Sequence, residues 1–461
     1  MQKFFSKYAL AAHLALTVVA PLFLSPFFGV EKASVALLWL SLFSALWIIL
    51  EPSRKPDEYL YNTRKRVYKS IIRDPLFILF ALLLVVVVVR WLNNGIRLEY
   101  RFIDTDWSWI VSMPRLDWLP GSDSNFGFIS FSTFIAVTIV VLACRHALGK
   151  SARLMFIFLS TLFAGITAMA VVIFTCKKGD IASLMAISEC KVYSMAGSSF
   201  GLFFLASIVA FAGMFERGWQ KAMLLFSFAT GSTFLGLWFF APSAVTVFYA
   251  SVGGLVLVVT LGYLSIKNGV ITFFKCLVAL LIAATIPACV MQFIAPDDLV
   301  DVKLSIFGAK LFTEEFINLR RMYTSLAAET WLNGNIWLGT GLGSLSLYIR
   351  LNFAESFWVK FIPNGWWQVL VERGVVGMLM IVIPFLFLTY TLIIHIFKSQ
   401  LKRSFWPLTI LGVVSVVAVV TEGFYNSSFM RPELFVYTAA LYSLGASALP
   451  ISNKDDDNLK N

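Results

Sequence analysis

Charge is what this chain has least of. Asp, Glu, Lys and Arg make up 14% of its 461 residues, against about 25% in an ordinary soluble domain. That deficit excludes a soluble globular enzyme. It also excludes a disordered chain, which needs polar and charged residues to stay solvated. Cysteine is scarce: the five are Cys144, Cys176, Cys190, Cys276 and Cys289, with no CxxC and no Cys/His spacing of a metal site. A disulfide-stapled secreted domain and a cysteine-based metal centre are therefore excluded. The apolar runs themselves lack ionisable residues, apart from His13 and, at span edges, Arg90 and Glu422. Ion- and proton-coupled carriers keep such groups at depth to hold the coupling ion, so a pump is disfavoured. His13 reads as a satisfied helix-contact residue rather than a relay.

What the chain has is apolar length. Hydrophobic residues account for 59% of it, in runs of roughly 20 that each suffice to cross a bilayer core of about 30 Å. The reading is an all-α polytopic membrane protein of about twelve transmembrane helices, at 8–28, 33–50, 75–91, 127–144, 154–174, 196–214, 222–240, 244–265, 276–295, 375–393, 407–422 and 434–450. The first run is too long for a cleaved leader, lacks a small-x-small site and is followed at once by a second span, so it reads as a retained anchor.

The formal charge of +11 reads as loops held against anionic lipid rather than as a nucleic-acid surface. Arg54, Lys55, Arg64, Lys65, Arg66, Lys69 and Arg73 crowd into 51–74, and Lys398, Lys402 and Arg403 form a second cluster. Basic residues stay cytoplasmic, which places both termini inside. The loop between Cys176 and Cys190 then lies outside, where a disulfide is allowed.

The division that follows is 1–295 with spans one to nine, 296–374 as a large external loop, 375–450 with spans ten to twelve, and 451–461 as a disordered cytoplasmic tail. The segment 92–125, with Trp107, Trp109 and Trp118, reads as an aromatic belt at the membrane surface. In the large loop, 301–319 has the apolar spacing of an amphipathic helix.

The chemistry-bearing residues cluster in that loop. Arg320 and Arg321 sit on a predicted helix; Gly339-Thr-Gly-Leu-Gly343 follows, then Pro363-Asn-Gly-Trp-Trp-Gln368, then Glu372-Arg-Gly374. The glycines are not a P-loop, because no Gly-Lys-Ser/Thr follows, and they lack the strand of a dinucleotide fingerprint. They fit either a tight turn between helices or a bare-backbone surface that approaches a phosphate or sugar. Paired arginines suit a diphosphate clamp, because guanidinium binds phosphate bidentately. Trp358, Trp366 and Trp367 suit either sugar stacking or anchoring at the interface.

In this order, the segment from about Arg320 to Gly377 resembles the O-antigen ligase and Wzy-type polymerase family of bacterial inner-membrane proteins. The resemblance rests on Arg321, on Gly339-x-Gly341-x-Gly343, on Asn364 and Gln368, and on Glu372-Arg-Gly374-Val-Val-Gly377. It implies transfer of a polyprenyl-diphosphate-linked glycan, outside the inner membrane, to lipid A-core sugar or to another repeat unit, with no cofactor and no metal. Arg321 and Arg320 would then hold the diphosphate, and Gly339, Gly341, Gly343, Asn364, Trp367 and Gln368 would line the substrate. Two departures stand out. The family's catalytic His falls on Pro363, which has no titratable group. The family's Ser-Arg at the eighth span reads Pro242-Ser243-Ala244. Glu355 and Glu372 are the nearest carboxylates to act as base, although Glu372 also suits a plain pairing with Arg373. Two other readings stay open: a family member that binds lipid-linked glycan without catalysis, and a lipid-glycan flippase.

Overall fold

The computed structural model describes residues 2–50, 74–101, 106–111, 116–145, 314–345, 364–397 and 431–446, with short stretches between 71 and 72, 154 and 165, 249 and 278, and 415 and 424, and residue 362. These residues are mostly helical. Three of the helices are long and apolar enough to cross a membrane, at Pro75–Leu92, Asn125–Ala143 and Gly365–Phe387. The expected spans at 196–214 and 222–240, most of those at 154–174, 244–265, 276–295 and 407–422, and the tail 451–461 lie outside the described residues.

Helix α1 (Gln2–Phe28) and helix α2 (Val30–Leu50) form a hairpin about Gly29. Small residues line its seam: Ala11 and Ala15 from one side, Ala33, Ser41 and Ser44 from the other, all buried. Small side chains let two apolar helices approach closely, and hydroxyls then bond locally. Thr17 Oγ1 lies 3.3 Å from Ser44 Oγ, and His13 Nε2 donates to Leu40 O at 3.2 Å. His13 thus ties α1 to α2.

Helix α3 (Pro75–Leu92) starts where its sequence says it should. Asp74 caps it, its side chain accepting from Leu76 N at 3.1 Å, and Pro75 stands at N1, where no N–H is missed. Its exposed residues Ile78, Leu82, Val85, Val89 and Leu92 recur at helical spacing, a single apolar stripe. Helix α4 (Ser124–Ala143) is capped by Asp123, which accepts from Asn125 N and Phe126 N at 2.8 and 3.0 Å. The two helices run antiparallel. At one end Asp74 pairs with Arg145 at 2.6 Å; at the other, Ser122 N donates to Asn93 O at 3.1 Å.

Between α3 and α4 the chain forms a sheet, which corrects the all-α expectation. Strands β1 (Asn94–Arg101) and β2 (Asp106–Val111) pair antiparallel, Leu98 opposite Trp109 and Tyr100 opposite Trp107, and β1 also pairs in parallel with the short β3 (Ser122–Asp123). The physical reason is the period. Ile96-Arg-Leu-Glu-Tyr-Arg101 alternates apolar and polar, a pattern that suits a strand and no helix.

Helix α5 (Glu314–Asn333) packs on helix α6 (Gly365–Phe397), and helix α7 (Pro432–Ala446) packs against α1 and α4. Val436, Tyr437, Ala439, Ala440, Leu441 and Tyr442 are all buried, so α7 is enclosed by its neighbours rather than lying on a surface. Ten residues assigned to the external loop in fact open α6. The expected start of span ten, at 375, falls on a break inside that helix: Gly374 has φ 65° and ψ −175°.

Candidate functional site

A helix broken at one residue exposes carbonyls on one side of the break and N–H groups on the other. In an apolar setting each must find a partner inside the protein. Here a single turn, 336–344, supplies several of them. On the carbonyl side, Val371 O accepts from Thr340 N at 2.7 Å and Thr340 Oγ1 at 2.9 Å, and Glu372 O accepts from Gly341 N at 3.2 Å. On the donor side, Val375 N reaches Ile336 O at 3.0 Å and Val376 N reaches Trp337 O at 3.1 Å. The turn 336–344 is thus threaded into the break in α6.

The glycines explain how it fits. Gly339, Gly341 and Gly343 all have positive φ, at 73°, 108° and 79°, a region that L side chains rarely adopt. A Cβ on Gly339 would lie 2.5 Å from Gly374 N, and one on Gly343 would lie 2.7 Å from the Phe126 ring. A Cβ on Gly341 would collide with Gly121 O. The bare faces of these glycines meet the protein's own backbone and the start of α4. Of the two readings of the glycine motif, the structure shows the tight turn.

The far side of the turn docks on the sheet end. Asp123 N donates to Leu342 O at 2.8 Å, and Leu342 N donates to Ser122 Oγ at 3.2 Å. Asn93 closes the neighbouring loop, donating to Leu119 O at 2.7 Å and accepting from Leu116 N at 2.9 Å.

Four expected site residues meet at the start of α6. Asn364 caps the helix, its Oδ1 accepting from Trp367 N at 3.2 Å. Gln368 is buried; its Oε1 accepts from Ile362 N and its Nε2 donates to Glu372 Oε1, both at 3.3 Å. Glu372 is 2% exposed and takes a further hydrogen bond from the Gly343 backbone. Its carboxylate is therefore held by groups from both the helix and the turn. Trp367 is half-buried against the cluster of Tyr323, Ala327, Leu345, Ile362 and Val371, with its ring 6.0 Å from that of Trp331. That cluster fastens α5 to α6.

Arg321 is not part of this buried set. It is exposed on α5, on the same face as the exposed Ser325, Glu329 and Leu332 and opposite the buried Tyr323, Ala327 and Thr330. Arg320 is on α5 too, but its side chain lies outside the described residues, as do Glu355, Pro363, Cys176 and Cys190. No group of three or more His, Cys, Asp or Glu able to hold a metal occurs among the described residues.

Two arginines at this end went unremarked as site residues. Arg373 is buried, donates to Ser130 Oγ at 3.0 Å, and lies with its guanidinium carbon 5.4 Å from the centre of the Phe134 ring. In the sequence, Arg90 reads as a charge at a span edge. It is in the last turn of α3 and 6% exposed. Its Nη1 donates to Glu372 O at 3.1 Å, and its Nη2 donates to Arg373 O at 3.3 Å and to Leu338 O. A buried cation among carbonyls at the end of a helical segment is favoured by the segment's dipole. The signal available in sequence was an arginine inside an otherwise uncharged apolar run.

Neither the protein-family models nor the curated proteins searched give a match to this chain.

Proposed function

We propose that the chain is a membrane glycan transferase of the O-antigen ligase and polymerase kind, in a bacterial inner membrane, with about twelve spans, both termini cytoplasmic and the turn-and-break unit facing outward. One observation carries this reading. The motifs behind the resemblance, Gly339-x-Gly341-x-Gly343, Asn364, Gln368 and Glu372-Arg-Gly374, are separate in sequence yet fold into one hydrogen-bonded unit at the ends of apolar helices. In the reaction, an acceptor hydroxyl attacks the anomeric carbon of a polyprenyl-diphosphate-linked glycan. A glycosidic C–O bond forms, the C–O bond to the diphosphate breaks, and the diphosphate leaves with the electron pair. The hydroxyl proton passes to a base. Arg321, exposed on α5, suits a cation that steadies the departing diphosphate. Acceptors are lipid A-core sugar or a second lipid-linked repeat unit.

A second reading, a member that binds lipid-linked glycan without catalysis, is favoured by one specific observation. Glu372, the one candidate base carboxylate among the described residues, is buried and already hydrogen-bonded by Gln368 and Gly343, and proline stands where the family has its histidine.

Surface glycans from cells lacking the chain, complemented with wild type or Arg321→Ala, separate the readings on a gel. Transfer predicts loss of the long ladder, restored by wild type and not by the variant. Bare core then indicates a ligase, and core plus one repeat a polymerase. An unchanged ladder in the null strain contradicts transfer as an essential step. A ladder restored equally by both chains contradicts the role of Arg321.

A further inference from the structure

Arg90 touches three parts of the molecule at once. It belongs to α3, an apolar helix. Leu338 O belongs to the turn 336–344. Glu372 O and Arg373 O belong to the carbonyl side of the α6 break. The remaining acceptor of the break, Val371 O, is already taken by Thr340. Without Arg90, Glu372 O keeps the Gly341 N–H at 3.2 Å but loses its guanidinium donor, as Arg373 O does, and the turn loses the tie from Leu338 O to α3.

We propose that Arg90 is the positioning residue of this site. One planar guanidinium sets the height of the turn 336–344 against the α6 break, and so holds the Gly343 N–H on the Glu372 carboxylate and Thr340 on Val371 O. The guanidinium fork suits this task because its donors diverge in fixed directions towards carbonyls from two chain segments. A lysine ammonium is a point charge on a flexible stem and does not impose those directions. Arg90 touches no reacting atom in this scheme; it acts through the turn.

For its activity readout the inference rests on the transferase reading; for its structural readout it does not. The test uses the full chain in lipid nanodiscs, comparing wild type, Arg90→Lys and Arg90→Gln by backbone hydrogen exchange, with glycan ladders from complemented cells alongside. Val85→Ala, on the exposed stripe of α3, serves as control. Arg90→Lys is expected to accumulate and melt close to wild type, while amides of 339–344 and 375–376 exchange about tenfold faster. The amides of α3 and α4 should stay protected. Ladder output should fall about tenfold in Arg90→Lys and equal wild type in Val85→Ala.

A merely structural role would speed exchange throughout α3 and α4, and that pattern overturns the proposal. So does unchanged exchange across 339–344 in Arg90→Lys together with Arg90→Gln. If Arg90→Gln fails to accumulate, Arg90→Lys alone decides. Local loosening in a chain whose deletion leaves the ladder unchanged supports Arg90 as the latch and rejects the transferase reading, so the two failures are distinct.

Discussion

The two ends of the α3–α4 hairpin solve the same problem in different ways. Each buries an arginine at the end of an apolar helix about 27–30 Å long. At one end Arg145 meets a carboxylate, Asp74, at 2.6 Å, with side chains 8% and 1% exposed. At the other, Arg90 meets three backbone carbonyls from the turn and from α6. The first arrangement joins two neighbouring helices through one ion pair. The second needs a helix broken at Gly374, a turn with three positive-φ glycines and a sheet end to dock on. A charge pair closes a structure; a charge shared among backbone groups assembles one. The elaborate end also holds every expected site residue that the structure brings together.

Breaking each end should show this difference. The largest effect is expected from Arg145→Ala, which removes the cation that pairs with the buried Asp74 and costs about 3–5 kcal/mol in detergent unfolding. At the other end, Gly341→Ala adds a Cβ against Gly121 O at φ 108° and should cost about 3 kcal/mol. Limited proteolysis should then cut within 336–344, whereas Arg145→Ala should leave that turn resistant. Gln368→Ala removes both the donor to Glu372 and the acceptor of Ile362 N, for about 2 kcal/mol by chemical denaturation. Asn364→Ala removes a helix cap and should cost about 1 kcal/mol. Trp337→Ala sharpens the comparison from the other side. Its side chain is 65% exposed while its carbonyl does the work at the break, so stability should stay within about 0.5 kcal/mol of wild type.

Much of the helical framework was legible. The spans expected at 75–91 and 127–144 match α3 and α4 within a few residues. An uncharged run of that length has few ways to satisfy its backbone other than as a helix, and Asp74-Pro75 announces one start in advance. The sheet was not foreseen, because three tryptophans drew attention to the membrane surface and away from the period of two in 96–101. The α6 break shows where pattern reading reaches its limit. The sequence pattern ends the loop at Gly374, whereas in the structure Gly374 is a break inside one helix. Arg90 was illegible for a deeper reason. Its partners are carbonyls, which every residue has, and no side-chain pattern names which ones a distant arginine will reach. The residues of the resemblance were visible in order. That the glycines, Asn364, Gln368 and Glu372 meet at one place was not, because their spacing in sequence carries no distance.

The most direct test of the account is transfer by the purified full chain in nanodiscs, supplied with lipid-linked glycan extracted from cells that carry it. The account predicts release of free polyprenyl diphosphate and appearance of longer or core-linked glycan, both lost in Arg321→Ala and reduced in Arg90→Lys. Donor bound by the chain but left intact, in the presence of both core and repeat-unit acceptors, would contradict transfer and leave a binding protein.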